Sequence, residues 1–207
     1  RTGGVSVGDC ATMNLSFTRG DDPHAVWENY RRVCAVRKIH MEDVVASVQK
    51  HTTNIRHVTV AYRGKGVVLP QDYEDVDGMV TDEPGIALAC FFADCVPLYF
   101  VDFRHKAIGL AHSGWKGTIN RMGACMVQAM QDTFGSEPGD IIAAIGPSIC
   151  RDCYEVSEDV AEQFMAAFPG TDVVTPGRRD GKYQLDLWLA NRLIMEQAGV
   201  LPKHISV

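Results

Sequence analysis

The stretch that decides the fold is residues 93–117, which read ADCVPLYFVDFRHKAIGLAHSGWKG. Residues 96–101 and 107–111 are apolar runs separated by a short polar segment, and this pattern predicts two β-strands joined by a hairpin turn. Cys95 precedes the first run and His112 follows the second. Because the strands of a hairpin are antiparallel, the start of the first and the end of the second can lie side by side. The sequence thus predicts a thiol and an imidazole at one edge of a sheet.

A second histidine has the same local setting. His51 follows the apolar run 44–48 and precedes turn-like residues, so it too is expected at the end of a strand. Two histidines and one cysteine form a donor set that suits tetrahedral zinc and leaves its fourth position open for water or substrate. The long, irregular spacing leaves three interpretations open: a metal site, a Cys95–His112 dyad acting as nucleophile and base, and three unrelated polar residues.

Length and composition favour one sizeable domain. The 207 residues are 46% hydrophobic, which is enough for a large core. The net charge of −6 and the lack of a basic stripe argue against nucleic-acid binding. No apolar run approaches the roughly 20 residues that span a bilayer. We therefore expect a single cytoplasmic domain over residues 1–207. Since the chain starts at Arg1, we also expect N- and C-terminal segments of the native protein to be missing.

The cysteines and histidines exclude two classes of protein. Seven cysteines, an odd number in mostly apolar surroundings, are unlike a disulfide scaffold and predict reduced thiols, most of them in the core. Cys150 and Cys153 form a lone CxxC, for which a structural role is favoured over half a zinc site or a redox pair. Seven histidines without an H-x-H pair are too few for a complete multicopper oxidase cluster.

Helical and strand patterns alternate along the rest of the chain. Helices are predicted at residues 23–36, 118–134, 158–168 and 185–197, and Asp22 and Ser157 are candidate N-caps. Strands are predicted near residues 13–15, 44–48, 55–61, 79–81, 86–92, 140–145 and 205–207, and residues 170–181 are predicted to be a loop. The class is α/β or α+β with a large mixed sheet region.

Eight motifs together resemble one known family. In chain order they are RTGGVS, MNL, DDPHAVWEN, QKH, VDGMVTD, ADCVP, GLAHSGWKG and GPSIxxxxYEV. This order is similar to that of the YfiH-like proteins, also called the laccase-domain or polyphenol oxidase family and now regarded as purine nucleoside phosphorylases. The resemblance extends over essentially the whole chain, and DCxP combined with HxGWxG is its most specific part.

The resemblance implies a fold, a metal and an activity. The fold would be a four-layer α/β/β/α sandwich with mixed sheets, and His51, Cys95 and His112 would hold zinc. The partners would be phosphate and the nucleosides adenosine, inosine and methylthioadenosine, with adenosine deamination as a further reaction. A cysteine hydrolase using the Cys95–His112 dyad and a copper-dependent, laccase-like polyphenol oxidase remain alternatives.

Asn14 and Asp94 match family positions near the site. Asp94 adjoins the ligand cysteine and is a candidate for moving a proton in deamination. The sequence departs from the family at Thr52, where glycine is usual.

Substrate binding is predicted around His112. The backbone N–H groups of Ser113 and Gly114, placed before a long helix, could bind an anion such as phosphate. Lys116 and Arg1 are candidate cations for the same anion. Ser113 and Lys116 also depart from the usual family motif, which reads HAGWRG.

Overall fold

The structure, a computed structural model, describes residues 2–207. This range contains five α-helices: α1 (Pro23–Arg37), α2 (Trp115–Ile119), α3 (Met122–Phe134), α4 (Glu158–Ala167) and α5 (Leu187–Gln197). It also contains eleven strands: β1 (Val44–Ala46), β2 (Ile55–His57), β3 (Gly78–Thr81), β4 (Ala87–Ala89), β5 (Val96–Asp102), β6 (Ala107–Ser113), β7 (Ile142–Ile145), β8 (Glu155–Ser157), β9 (Val174–Pro176), β10 (Lys182–Leu185) and β11 (Ile205–Ser206).

The largest sheet has six strands in the order β11-β7-β5-β6-β3-β2. Its inner pairings are antiparallel, whereas β11 joins β7 and β2 joins β3 in parallel. A two-stranded parallel sheet (β1, β4) and a three-stranded antiparallel sheet (β8, β10, β9) complete the strands of the described chain. The mixed α/β class predicted from the sequence is therefore confirmed.

The main core lies between the six-stranded sheet and the helices α3, α4 and α5. Met126 of α3 is fully buried and approaches the sheet where two strands carry glycine. A Cβ atom at Gly78 would lie 2.9 Å from Met126 Sδ, and one at Gly109 would lie 2.7 Å from Met126 Cε. Since neither contact leaves room for a side chain, the two glycines allow α3 to pack directly on β3 and β6.

Helix α1 begins as predicted. Asp22 accepts a hydrogen bond from the backbone N–H of His24 at 3.0 Å, and Pro23 occupies the first helical turn. The helix buries Val26 and Tyr30 against β1, and it ends at Lys38 in a left-handed conformation with φ 56°.

The prediction of one continuous helix over residues 118–134 is wrong. The structure has two helices, α2 and α3, separated at Arg121, which adopts a left-handed conformation with φ 63°. Apolar residues on both sides of the break face the same core, so their spacing satisfies a continuous helical period and conceals the break.

Several strand predictions are also corrected. Residues 13–15 form no strand, and residues 60–62 form a 3₁₀ turn after β2 instead of extending it. Strand β4 is shorter than predicted and half-buried, because it lies in a two-stranded sheet and has only one strand neighbour. The loop predicted over residues 170–181 contains β9. The last helix starts at Leu187, since residues 182–185 pair as β10.

The cysteines are less buried than predicted. All seven are free thiols, as expected, but only Cys34 among them is fully buried, and Cys153 is exposed. Among residues 2–207, none of the helices combines the length and the apolar character that crossing a bilayer requires.

Candidate metal centre

The β5–β6 hairpin places the predicted thiol and imidazole side by side. Pro97 of β5 lies opposite His112 of β6, and the residue pair beyond it joins Val96 to Ser113. Cys95 immediately precedes β5, so it lies beside the end of β6. The antiparallel arrangement predicted from residues 93–117 is confirmed.

His51 completes a three-residue cluster. It lies in the loop after β1, in a left-handed conformation with φ 63°, a region that histidine enters more readily than β-branched residues. Its ring meets that of His112 edge-on, with the centroids 4.8 Å apart. One donor atom each from His51, Cys95 and His112 lies within 4.8 Å of the others. The loop after β1 thus brings the His51 imidazole next to Cys95 and His112 at the end of the hairpin.

The cluster is open on one side. His51 is exposed, Cys95 is half-buried and His112 is only 3% exposed. A Cβ atom at Gly114 would lie 2.8 Å from Cys95 Sγ and 3.5 Å from His51 Cδ2, so only a glycine fits against the cluster at this position. The three donor atoms have protein on one side and solvent on the other, so they fit a metal ion that keeps one coordination position open. A donor set of nitrogen and sulfur atoms suits zinc or copper.

Asp77 holds both histidines in place. Its carboxylate is fully buried and accepts hydrogen bonds from three successive backbone N–H groups, those of Lys50 (2.8 Å), His51 (3.1 Å) and Thr52 (3.1 Å). Because a carboxylate only accepts, His112 Nδ1 must donate to Asp77 Oδ1, 2.8 Å away. That bond leaves His112 Nε2 free for a metal, the arrangement that orients many histidine ligands.

In the metal-free protein, the electrostatics of the site favour a protonated His112 beside an ionised Asp77. Burial alone would lower the pKa of His112, but hydrogen bonds to Asp77 and Cys95 outweigh it and raise that pKa to about 9. Burial would raise the pKa of Asp77, yet the bonds from His112 and from the backbone N–H groups of Lys50 and Thr52 lower it. A metal at His112 must therefore displace a proton near neutral pH.

Asp77 was not recognised from the sequence as a site residue. Its position in the motif VDGMVTD was noted only as part of the resemblance. The available signal is an acidic residue directly before a buried strand, followed by glycine. A carboxylate at such a position is expected to be buried, and a buried carboxylate needs several hydrogen-bond donors.

Asp94 and Tyr154 adjoin the cluster. Asp94 is exposed, precedes Cys95, and accepts a hydrogen bond from the Ile149 backbone N–H at 3.0 Å through its own carbonyl. Burial raises the pKa of Tyr154, and electrostatic interaction with Cys95 and Asp94 raises it further. In the sequence, Tyr154 is recognisable only as part of the motif GPSIxxxxYEV.

Phe92 is a further neighbour of the cluster. Its ring centroid lies 5.7 Å from that of His112. In the sequence it belongs to the apolar run 86–92, which does not indicate this position.

Asn14 has a local bonding pattern. Its side-chain amide donates to Asp21 Oδ2 (2.9 Å) and to the Ser16 carbonyl (3.0 Å). Its backbone carbonyl accepts a hydrogen bond from Asn29 Nδ2 (2.8 Å). Within residues 2–207, none of the hydrogen bonds of Asn14 reaches the three donors. These bonds attach the N-terminal segment to α1.

The predicted anion-binding residues have different settings. The Ser113 hydroxyl is fully buried, donates to Asn191 Oδ1 at 3.0 Å and lies 3.0 Å from Thr118 Oγ1, so it connects β6 to α5. Gly114 is buried against the cluster. Lys116 is exposed, with its Nζ 5.7 Å from the centre of the Trp115 ring.

The long helix expected after Gly114 is only the five-residue α2, which weakens the predicted anion site. Arg1, the other candidate cation, lies outside the described residues. Cys150 and Cys153 lie at a separate 3₁₀ turn, Arg151–Cys153, and are not part of the three-donor cluster.

Comparisons with known proteins match the whole chain. A family model described as "Multi-copper polyphenol oxidoreductase laccase" matches residues 1–207. The chain is 42% identical to a purine nucleoside phosphorylase of Deinococcus radiodurans, over 97% of this chain and 73% of that protein. It is 33% identical to "Adenosine deaminase RL5" from an unknown prokaryotic organism, over 93% of this chain and 74% of that protein.

A solved structure supports the fold. The hypothetical protein YfiH of Bacillus licheniformis superposes with a TM-score of 0.93 at 33% identity, over 100% of this chain and 78% of that one. The resemblance read from the eight motifs is confirmed.

Proposed function

This chain belongs to the family described as multi-copper polyphenol oxidoreductase laccase, and we propose that it is a zinc-dependent purine nucleoside phosphorylase that also deaminates adenosine. Adenosine, inosine and methylthioadenosine are the nucleosides we expect it to cleave, with phosphate as the second substrate. The observation that carries the proposal is the open cluster of His51, Cys95 and His112. The names of the two relatives supply the substrate class.

A mononuclear site fits the chain better than multicopper oxidase chemistry. Among residues 2–207, the three-donor cluster is the grouping of His, Cys, Asp and Glu that could hold an ion. A multicopper centre needs several such groupings with many more histidines than this chain has. The family description therefore does not by itself imply oxidation of polyphenols by this protein.

Each residue of the site has a distinct role in the proposal. His51, Cys95 and His112 hold the ion, and Asp77 fixes the tautomer of His112 and the backbone around His51. A zinc ion bound there would act as a Lewis acid and lower the pKa of water at its open position.

The exposed side of the cluster admits the nucleoside. Asp94, beside Cys95, is exposed, and its carboxylate is our candidate for exchanging protons with a bound substrate. In phosphorolysis, phosphate attacks the anomeric carbon of the ribose and the purine leaves, so the leaving base needs a proton. In deamination, water adds at C6 of the purine and ammonia leaves, which also requires proton transfer. We assign both transfers to Asp94.

One observation keeps the dyad as the second candidate. The His112 ring donates to Asp77, and its other donor atom lies within 4.8 Å of the Cys95 sulfur, the order in which an orienting acid, a base and a nucleophile would stand. This arrangement leaves His51 without a role, although its ring contacts that of His112. The zinc proposal uses all three residues and is therefore preferred.

The test combines metal analysis with product identification. The purified protein is analysed for zinc and copper, and then incubated with adenosine in phosphate buffer. The proposal expects about one zinc per chain and products with the masses of adenine and ribose 1-phosphate, with inosine from deamination. Undiminished activity after complete metal removal, together with a covalent adduct at Cys95, would instead support the dyad. Absence of any product would contradict the proposed phosphorylase and deaminase activities.

A further inference from the structure

Cys150 and Cys153 bracket a single tight turn. The backbone N–H of Cys153 donates to the carbonyl of Cys150 at 3.1 Å, and the residues between them form a 3₁₀ turn. Residues at the two ends of such a turn have Cα atoms within about 7 Å of each other. Disulfides span about 4.4–6.8 Å between Cα atoms, so little backbone movement would close one here.

The turn is anchored to the neighbouring elements. The Ile149 backbone N–H donates to the Asp94 carbonyl at 3.0 Å, and the Leu185 N–H donates to the Tyr154 carbonyl at 3.0 Å. The side-chain amide of Gln184, oriented with its NH₂ group towards acceptors, donates to the carbonyls of Arg151 (2.7 Å) and Tyr154 (3.1 Å). These bonds hold the cysteine turn in one conformation before any disulfide forms.

The two thiols differ in exposure and in acidity. Cys153 is exposed and Cys150 is half-buried, and both are free. A hydrogen bond from Cys153, followed by the backbone N–H groups of Cys153 and Asp152, lowers the pKa of the Cys150 thiol. The same thiol contact raises the pKa of Cys153. A more acidic thiol next to a less acidic partner is the arrangement that thiol–disulfide exchange uses in CxxC motifs.

A surface cavity beside Cys153 favours a negatively charged reactant. The cavity has a volume of about 500 Å³ and is lined by Asp152, Cys153, Glu155, Arg178, Arg179 and Gln184. Glu155 forms an ion pair with Arg179, and the charge of Arg178 acts on the Cys153 thiol, where it offsets only part of the rise in pKa caused by Cys150, burial and Asp152. Both carboxylates of the lining are in ion pairs, Glu155 with Arg179 and Asp152 with Arg151, so the ion pairs of residues 2–207 leave the charge of Arg178 uncompensated beside the thiols.

We propose that Cys150 and Cys153 form a redox-active dithiol that small anionic disulfides oxidise to an intrachain disulfide. The Cys150 thiolate attacks one sulfur of the reactant, its S–S bond breaks, and one thiolate leaves. Cys153 then loses its proton and attacks the Cys150 sulfur of the mixed disulfide, which releases the second thiolate. The protein gives up two electrons and two protons, and the reactant is reduced to two thiols. This chemistry does not depend on the proposed nucleoside activity.

The test uses the metal-loaded protein and oxidised glutathione as the anionic disulfide. The protein is equilibrated in glutathione buffers of increasing oxidised fraction, alkylated, and analysed by intact mass and by peptide mapping, in which cleavage after Arg151 separates the two cysteines. The expected result is loss of two hydrogen atoms from the wild type and a peptide pair linked through Cys150 and Cys153. Cys153→Ser should instead carry one glutathione on Cys150, and Cys150→Ser should show neither product.

The matched control is Cys125→Ser, which removes a half-buried cysteine on α3 and should behave as the wild type does. The proposal is overturned if both thiols of the turn stay open to alkylation throughout the series. It is also overturned if the disulfide joins any other pair, or if glutathione in Cys153→Ser is found on a cysteine other than Cys150.

Discussion

Asp77 Oδ1 lies 2.8 Å from Nδ1 of His112, and the same carboxylate accepts the backbone N–H of His51 at 3.1 Å. One buried side chain therefore positions two of the three donors of the cluster, which come from loops and strands far apart in the chain. The geometry of the site depends on this carboxylate as much as on the donors themselves.

Asp77→Asn should weaken metal binding by about 10- to 100-fold, the usual cost of removing a partner that orients a histidine ligand. The asparagine has nearly the same shape, but its NH₂ group would face the backbone N–H groups that now donate to the carboxylate. Competition with a chromogenic chelator measures the affinity. Asp72→Asn, which changes an exposed carboxylate paired with Lys65, is the control and should leave affinity unchanged. Equal affinities for the two variants would contradict the assigned role of Asp77.

Metal affinity should increase with pH. In the metal-free protein the pKa of His112 is raised to about 9, so the proton on this ring competes with the metal at neutral pH. Raising the pH from about 6 towards 9 removes that proton, and the apparent association constant should rise by up to about tenfold per pH unit for each proton displaced. Chelator competition across this range provides the data. An affinity that is independent of pH would show that His112 is neutral before the metal binds.

Gly114→Ala should disturb the cluster directly. The added Cβ would lie 2.8 Å from Cys95 Sγ, so the cysteine or the backbone must move. Overpacking of this kind costs about 1–3 kcal/mol in the free energy of unfolding, and we expect metal affinity to fall with it. The control is Gly139→Ala, where the new Cβ has no neighbouring atom within 4 Å. If Gly114→Ala binds metal as the control does, Gly114 does not lie against the ion.

Asp102 provides a stability prediction away from the site. It is fully buried at the end of β5, where it accepts the backbone N–H groups of Arg104 and His105 and lies 2.7 Å from His105 Nδ1. Burial would raise its pKa, but the Ser136 hydroxyl, followed by the His105 ring and the backbone N–H groups of His105 and Arg104, outweighs burial and lowers the pKa to about 2.

A carboxylate with a lowered pKa stabilises the fold above its unfolded pKa and loses this effect as the pH falls through its folded value. Asp102→Asn should therefore be about 2 kcal/mol less stable than wild type near pH 6. The difference should shrink between about pH 4 and pH 2. Urea unfolding at several pH values measures it. A difference that stays constant down to pH 2 would contradict a charged Asp102.

The local parts of the site could be predicted from the sequence, whereas the parts that depend on long-range contacts could not. The hairpin follows from alternating apolar runs and a turn, so Cys95 and His112 were expected together. The bond between Asp77 and His112 joins residues 35 positions apart, and no pattern of spacing reveals it. The break at Arg121 was hidden because the apolar residues on both sides of it pack on the same sheet.

The central claim is that Cys95 holds a catalytic metal, and Cys95→Ala compared with Cys125→Ala tests it most directly. Both variants remove one half-buried thiol, but only the first removes a donor of the cluster. Each is analysed for bound zinc and for the products formed from adenosine and phosphate. The expected result is that Cys95→Ala loses both zinc and product formation, while Cys125→Ala retains both. Zinc retained at about one per chain in Cys95→Ala would contradict the claim.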